Sequence, residues 1–239
     1  MTDTRVRSSA VANMAADEAM LRAAQCHPER GALTRVYVWD GPAVTLGRSS
    51  QSPDGTIMAL TAAGIEVARR PTGGAILVHG TDVSLSVAVA DGSWAKPRDL
   101  IAAGRRLAEP ALRAVRALGF DAAFRDRPAS GGCADRGGRP EALCFLQRSD
   151  LDLMVEGIKV AAFAQRRVRG AVLQHGSILV ESPPEGVVRA LEAAGVGTRG
   201  DWERAAGAVR GLAAWKPLMV GEVREALAGA VQESLDKGF

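Results

Sequence analysis

Three stretches of this chain combine residue types that can do chemistry. The first, Arg69-Arg70-Pro71-Thr72-Gly73-Gly74-Ala75, carries a basic pair through a Pro/Gly turn into the apolar run Ile76-Leu77-Val78, which ends on His79. Adjacent glycines accept φ > 0 and place no side chain between the backbone and whatever lies against it. That suits a loop lying along a ligand, although Pro-x-Gly-Gly also makes an ordinary turn. The second stretch begins at Cys144-Phe145 and reaches a Glu156-Gly157 turn that presents Lys159, followed by the small residues Ala161, Ala162 and Ala164 before Gln165. A lysine placed there, with small neighbours, lets a ligand approach the backbone; its plainer reading is a solvated surface charge. The third is Gln174-His175-Gly176-Ser177 on a strand-like run, where His175 reads as structural.

The elements that must position these residues can be read from periodicity. A first helix is expected over 9–24, with Val11, Met14 and Leu21 inward. Strands are expected over 34–39, 43–47, 65–68 and 84–90, the second following a Gly41-Pro42 turn. A long helix is expected over 97–118, with Pro97 in its first turn and Pro110 kinking or splitting it. The segment from Arg125 to Pro140 is rich in Gly and Pro and poor in apolar side chains, and reads as a mobile surface loop. Strands at 151–155 and 158–163 flank Glu156-Gly157 as a hairpin, and another is expected over 175–180. Helices follow over 184–194, 202–213 and 221–236; in the last, Val223, Leu227, Val231 and Leu235 share one face. This irregular alternation predicts an α/β (α+β) fold, a mixed sheet flanked by helices, rather than a strictly doubly wound one.

Composition bounds the function. The 239 residues are 47% hydrophobic and 24% charged, a globular composition whose core must be built mainly from Ala, Val and Leu because aromatics are only 4%. The net charge of +3 is too mild for a nucleic-acid surface, which needs a concentrated basic stripe; at most it favours an acidic protein partner. Cys26, Cys133 and Cys144 lack metal-ligand spacing, and the only histidines are His27, His79 and His175, so no metal site is expected. No signal-peptide pattern opens the chain, and no run approaches the roughly 18 apolar residues of a membrane helix. A soluble, cytoplasmic protein is expected.

Together the motifs resemble the lipoate-protein ligase and octanoyltransferase family, within the biotin/lipoate ligase superfamily. Its pattern of two arginines, a variable residue, Ser/Thr, Gly-Gly and a downstream histidine is matched from Arg69 to His79. Its G-x-K-[IV]-[AS]-[GA]-x-A-Q segment is matched from Gly157 to Gln165, and its Gln-His-Gly strand from Gln174 to Gly176. Asn13 to Ala19 and Val44 to Arg48 match its first helix and second strand, and the order is collinear over about 11–182. Within the family, a Cys-Phe pair ahead of the lysine hairpin is similar to the cysteine-dependent LipM-type octanoyltransferases. Ala75 in place of a third glycine, Gly80 to Ser86 in place of an Asn-rich segment, and the lack of a long carboxy-terminal domain also favour that branch over the ATP-dependent ligases.

The resemblance implies a largely antiparallel catalytic domain over 1–183 and a helical extension over 184–239 packed on it. It implies Cys144 as acyl relay, with Lys159 stabilising first the thiolate and then the oxyanion. Arg69, Arg70, Thr72, Gly73, Gly74, Ala75, His79, Gly157, Ala162 and Ala164 would bind substrate; His79 would orient the acyl carbonyl or satisfy backbone groups at its strand end. Cys133 is the competing thiol and Cys26 reads as inert. The donor would be acyl carrier protein, and the acceptor a lipoyl domain of a 2-oxoacid dehydrogenase or the glycine-cleavage H protein. No cofactor is needed for transfer; ATP and magnesium belong to the ligase alternative, and a non-catalytic acyl- or carrier-binding protein is the other. Two departures stand out. Ala162-Phe163 replaces the usual Gly-Ser or Gly-Thr, so that the phenylalanine either reshapes the acyl slot or points away from it. Leu146-Gln147-Arg148-Ser149 replaces a Pro-Ser-Tyr pattern.

Overall fold

The computed structural model describes residues 2–3, 7–90, 100–125, 143–144 and 146–238. Cys133, Phe145, Pro97 and nearly all of the predicted 125–140 loop lie outside them. Helix α1 (Ala10–Cys26) starts where the Ser9 side chain accepts from the Ala12 N–H at 3.2 Å, the ordinary way of satisfying a free first-turn donor. It buries Ala10, Asn13, Met14, Asp17, Leu21 and Ala24.

Among the described residues the strands are β1 (Thr2–Asp3), β2 (Arg7–Ser8), β3 (Leu33–Trp39), β4 (Ala43–Leu46), β5 (Glu66–Arg69), β6 (Ile76–His79), β7 (Asp82–Ala90), β8 (Ala122–Phe124), β9 (Leu153–Val155), β10 (Ile158–Val168) and β11 (Ala171–Leu179). The large sheet runs β1-β3-β7-β11-β10-β9-β8, with β2 also on β3; it is antiparallel except where β1 and β2 join β3. A small sheet, β5-β4-β6, pairs β4 parallel to β5 and antiparallel to β6. The expected mixed, largely antiparallel sheet flanked by helices is therefore what the chain forms.

Alternation sorts the large sheet's faces. Val36, Val38, Val83, Leu85, Val87, Val172 and Ile178 point into a core shared with helices α3 (Leu100–Ala117) and α6 (Val220–Asp236). Their neighbours Tyr37, Trp39, Ser84, His175 and Ser177 point the other way, into a cavity. In α6, Val223, Leu227 and Val231 are wholly buried, each worth about 1.5–3 kcal/mol by area. Helices α2 (Thr56–Ala62), α4 (Glu185–Ala193) and α5 (Arg199–Ala208) complete a second core with the small sheet. Residues beyond 184 thus contribute to both cores.

Several elements differ from expectation. Helix α3 runs through Pro110 without being split. An interior proline costs about 3 kcal/mol, which the burial of Leu107, Ala111, Leu112, Ala114 and Val115 offsets. The hairpin strands β10 and β11 extend beyond their predicted cores to meet at Arg169-Gly170. The helix expected at 202–213 begins earlier, at a capping box of Thr198 and Asp201, and stops at Ala208. Val209 then lies beside Lys159 as a bridge, and the Arg210 N–H bonds the Lys159 carbonyl at 3.0 Å. Helix α2 was not foreseen from periodicity.

Candidate active site

Cys144 sits on a turn docked against β6. Leu143 bridges Ile76, the Cys144 N–H donates to the Ile76 carbonyl at 2.9 Å, and the Gln147 N–H closes the turn on the Cys144 carbonyl at 3.2 Å. Leu143 is fully buried and anchors the turn by its side chain. The thiol itself is half-buried.

The Gly-Gly loop reaches the same point. The Arg70 guanidinium is buried: Nη1 donates to the Thr45 carbonyl and to Thr45 Oγ1, both at 2.8 Å. Its Nη2 is shared among the carbonyls of Gly73 (3.1 Å) and Ala75 (2.8 Å) and the Cys144 Sγ at 3.6 Å. Gly74 permits this approach, since a Cβ there would lie 3.0 Å from Arg70 Nη2 and 3.2 Å from the thiol, and its φ of +96° disfavours any side chain. Gly47 is required from the other side, because its Cβ would fall 1.8 Å from the Gly74 carbonyl oxygen. Burial pushes the Arg70 pKa down, and the neighbouring thiol opposes that shift.

Lys159 comes from β10, just after a hairpin turn in which Glu156 (φ 48°) and Gly157 (φ 78°) both take the left-handed conformation that tight hairpins require. Its ammonium is buried and donates to Asp152 Oδ2 at 3.1 Å and to the carbonyl oxygens of Cys144 and Gln147. Burial lowers its pKa, with Asp152 pulling back toward the ordinary value. Asp152 Oδ2 also accepts from Arg125 Nε at 3.2 Å and from the Ser149 N–H at 3.0 Å.

Two buried hydrogen-bonded chains flank the loop. In one, Asp82 Oδ2 lies 2.8 Å from His79 Nδ1, and His79 Nε2 lies 2.8 Å from Thr45 Oγ1. Because Thr45 Oγ1 accepts from Arg70, its hydrogen is free to go to His79 Nε2, which makes Nδ1 the protonated nitrogen facing Asp82. Burial lowers the His79 pKa, in keeping with a neutral ring. Burial works to raise Asp82, but the bonds from His79, Ser177 and the Gly80 N–H outweigh it and hold the carboxyl low. Trp39 stacks on His79 at 3.8 Å and donates its indole N–H to Asp82 at 3.1 Å. In the other chain, Asp17 Oδ2 lies 2.8 Å from His175 Nδ1 and accepts from Tyr37 Oη at 3.1 Å, while His175 Nε2 meets Thr72 Oγ1 at 2.5 Å. Arg35 pairs with Asp17 Oδ1 at 2.9 Å.

These groups surround a cavity of about 210 Å³. Of the residues singled out from sequence, Arg70, Gly74, His79, Cys144, Lys159, Ala162, Phe163, Ala164 and His175 line it. Arg69 does not; it donates to the carbonyls of Gly47 and Ser50 and fastens the loop's base. Thr72 is buried behind the wall on His175, Ala75 contributes its carbonyl to Arg70, Gly73 is exposed, and Gly157 stays at the hairpin tip. His79 bonds side chains rather than backbone groups. Phe163 borders the cavity, but its ring lies on the other side of the sheet: it crosses Gly176, where a Cβ would sit 2.2 Å from the ring, and packs into the core shared with α3. The slot wall is therefore Ala162 and Ala164, paired across the hairpin with Ser177 and His175.

Sequence reasoning missed Thr45, Asp82, Asp152, Tyr37, Trp39, Ser84 and Ser177. Thr45 and Ser177 lay within quoted motifs, and Asp82 and Ser84 within the Gly80 to Ser86 segment; the others carry no local signal. Among the described residues no group of three or more His, Cys, Asp or Glu side chains could hold a metal ion, and no helix is long and apolar enough to cross a membrane.

Residues 9–231 match the family model described as the lipoyl protein ligase A/B catalytic domain. Octanoyltransferase LipM of Kyrpidia tusciae is 36% identical over 236 residues, covering 96% of this chain and 84% of that protein. The LipM proteins of Geobacillus kaustophilus and Bacillus subtilis are 35% and 33% identical; the match covers 72% and 71% of this chain but only 62% and 61% of theirs. Among solved structures, lipoate-protein ligase A bound with ATP superposes with a TM-score of 0.69 at 22% identity, covering 97% of this chain and 85% of that one. A putative lipoate protein ligase from T. acidophilum gives 0.67 at 23%, with the same coverage. At such identities these two speak for the fold.

Proposed function

The chain belongs to the lipoyl protein ligase A/B family, and on that premise we propose that it is a cysteine-dependent octanoyltransferase that moves an octanoyl group from acyl carrier protein to a lysine of a lipoyl domain or of the glycine-cleavage H protein. The observation that carries the reading is the Cys144 thiol at the cavity wall, 3.6 Å from a buried guanidinium and on a turn held by a buried ammonium. A fixed positive charge beside a thiol favours its action as a nucleophile. A slot walled by Ala162, Ala164, Leu77 and Met14 suits a medium-length acyl chain.

In the first step the Cys144 thiolate attacks the carbonyl carbon of the donor thioester. The carbon–sulfur bond to the carrier breaks, the carrier sulfur leaves as thiolate and takes a proton from solvent, and an acyl-enzyme thioester remains. In the second step a neutral lysine amine attacks that thioester, Cys144 leaves as thiolate, and the nitrogen's surplus proton is lost as the amide forms. Thioester exchange is nearly balanced and amide formation runs downhill, so no ATP is consumed. The cationic groups beside Sγ would stabilise the oxyanion of each tetrahedral intermediate.

The test is intact mass after mixing the protein with octanoyl-acyl carrier protein without ATP. A hydroxylamine-labile octanoyl adduct on Cys144 that passes to a lipoyl domain supports the reading. Modification of the lipoyl domain only when ATP, magnesium and free octanoate are supplied would replace it with the ligase.

A further inference from the structure

The Gly-Gly loop, Pro71 to Ala75, joins β5 to β6 of the small sheet, yet it walls a cavity floored by β10 and β11 of the large one. Its backbone bonds return to the small-sheet side. The Arg48 N–H donates to the Thr72 carbonyl at 2.8 Å, and the Gly47 N–H to the Ala75 carbonyl at 3.3 Å. Among the described residues, the loop's bond to the large sheet is a side-chain contact, Thr72 Oγ1 to His175 Nε2 at 2.5 Å. Thr72 is wholly buried and stands behind the cavity wall, whereas His175 lines the floor.

His175 is fixed from its other side. Its Nδ1 lies 2.8 Å from Asp17 Oδ2, and a carboxylate only accepts, so Nδ1 carries the hydrogen. In the neutral ring Nε2 then accepts from the Thr72 hydroxyl. Asp17 is held by the Tyr37 hydroxyl on the same oxygen and by Arg35 on the other. It stands on α1, which packs against β7 and β11 of the large sheet and against β5 of the small one. Buried polar partners of this kind seldom stabilise a fold more than apolar residues of the same volume. What they do supply is direction: the chain meets the loop at one hydroxyl.

Resting on the octanoyltransferase reading, we propose that Thr72 and His175, oriented by Asp17, are positioning residues that pin the Gly-Gly loop over the large sheet and preform the acyl slot. A loop released at Thr72 has to be ordered by the incoming acyl chain, and that cost is taken from the chain's own binding. The effect therefore belongs to donor affinity.

The test reads binding without turnover. The probe is an octanoyl-pantetheine analogue in which an amide replaces the thioester, and calorimetry gives its Kd. Thr72→Val, which keeps the branched shape and removes the hydroxyl, should raise Kd about 10-fold, the worth of one lost hydrogen bond. Thr72→Ala breaks the same bond without adding bulk and should also raise it, whereas Thr72→Ser keeps the hydroxyl and should bind as the parent does. Nitrogen NMR of the imidazoles checks the bond itself: the His175 Nε2 resonance should move in Thr72→Val and stay in Thr72→Ser. An unchanged Kd in both Thr72→Val and Thr72→Ala, or an equal rise in Thr72→Ser, would overturn the positioning role. The expected Kd pattern in a protein that octanoyl-acyl carrier protein fails to acylate would remove the transfer reading and leave the loop assignment standing. Normal acylation with an unchanged Kd would do the reverse.

Discussion

Lys159 grips the backbone on which Cys144 stands: its ammonium bonds the Cys144 and Gln147 carbonyls, and Asp152 holds it from behind. Besides that grip, the turn has the Cys144 N–H bond to Ile76, its own closing bonds from the Leu146 and Gln147 N–H groups, and the anchoring side chain of Leu143. A buried ammonium is stable there only because Asp152 is equally buried and itself has three donors.

Replacing Lys159 by methionine should therefore slow acylation of Cys144 by about 10²-fold or more, the usual loss when a preorganised charge is removed from an active site. Single-turnover acylation from octanoyl-acyl carrier protein measures it. A rate equal to the parent's would mean that the turn keeps its shape without the ammonium.

Gly74→Ala should abolish transfer. The new methyl would crowd both Arg70 Nη2 and the thiol, in a backbone conformation that alanine avoids. Stability should fall by about 1–3 kcal/mol, the range for a residue forced into a sparsely populated conformation. Paired urea titration and transfer assays check it, and retained activity would show that the loop can move aside.

The two faces of β10 should separate chain-length choice from stability. Ala162→Leu fills the slot and should shift preference toward shorter acyl donors. Phe163→Ala should cost about 3–5 kcal/mol, as other buried aromatic truncations do, with the preference unchanged because the ring lies in the opposite core. Competition among C6, C8 and C10 carrier thioesters gives the readout; an altered preference in Phe163→Ala would contradict the assignment of faces.

Asp17→Ala should destabilise the fold by about 3–5 kcal/mol, the cost of breaking a buried ion pair. It strands Arg35 and removes the shared partner of Tyr37 and His175. Urea unfolding measures it, and a loss below about 1 kcal/mol, the range of surface pairs, would mean that the cluster is solvated.

Stability should decline as the pH falls below about 6.5, the ordinary histidine value. Burial depresses His79, so the unfolded chain takes up the proton first, and the loss continues until the folded protein also protonates. The carboxyl of Asp82, held low, adds a separate loss at more acidic pH. His79→Gln should flatten the upper part of this slope, measured as the urea midpoint between pH 5 and 7; an unaltered slope would place the titration elsewhere.

Much of this protein was legible in one dimension. The α6 helix followed from side-chain spacing and the Glu156-Gly157 hairpin from the conformations its turn demands, whereas α1 formed as expected but turns Val11, expected inward, to solvent. The motifs at Arg70, Cys144 and Lys159 were visible because backbone approach and charge require particular residue types. What only the tertiary structure decided was which group faces which. The direction of Phe163 depends on which face of β10 meets the helices, and period-2 alternation alone cannot choose between two buried faces. Among the described residues, the cation in hydrogen-bond reach of the sulfur is Arg70, while three oxygen atoms hold the Lys159 ammonium. Such pairings are set by distances across 74 and 15 residues of chain, and no local propensity encodes them.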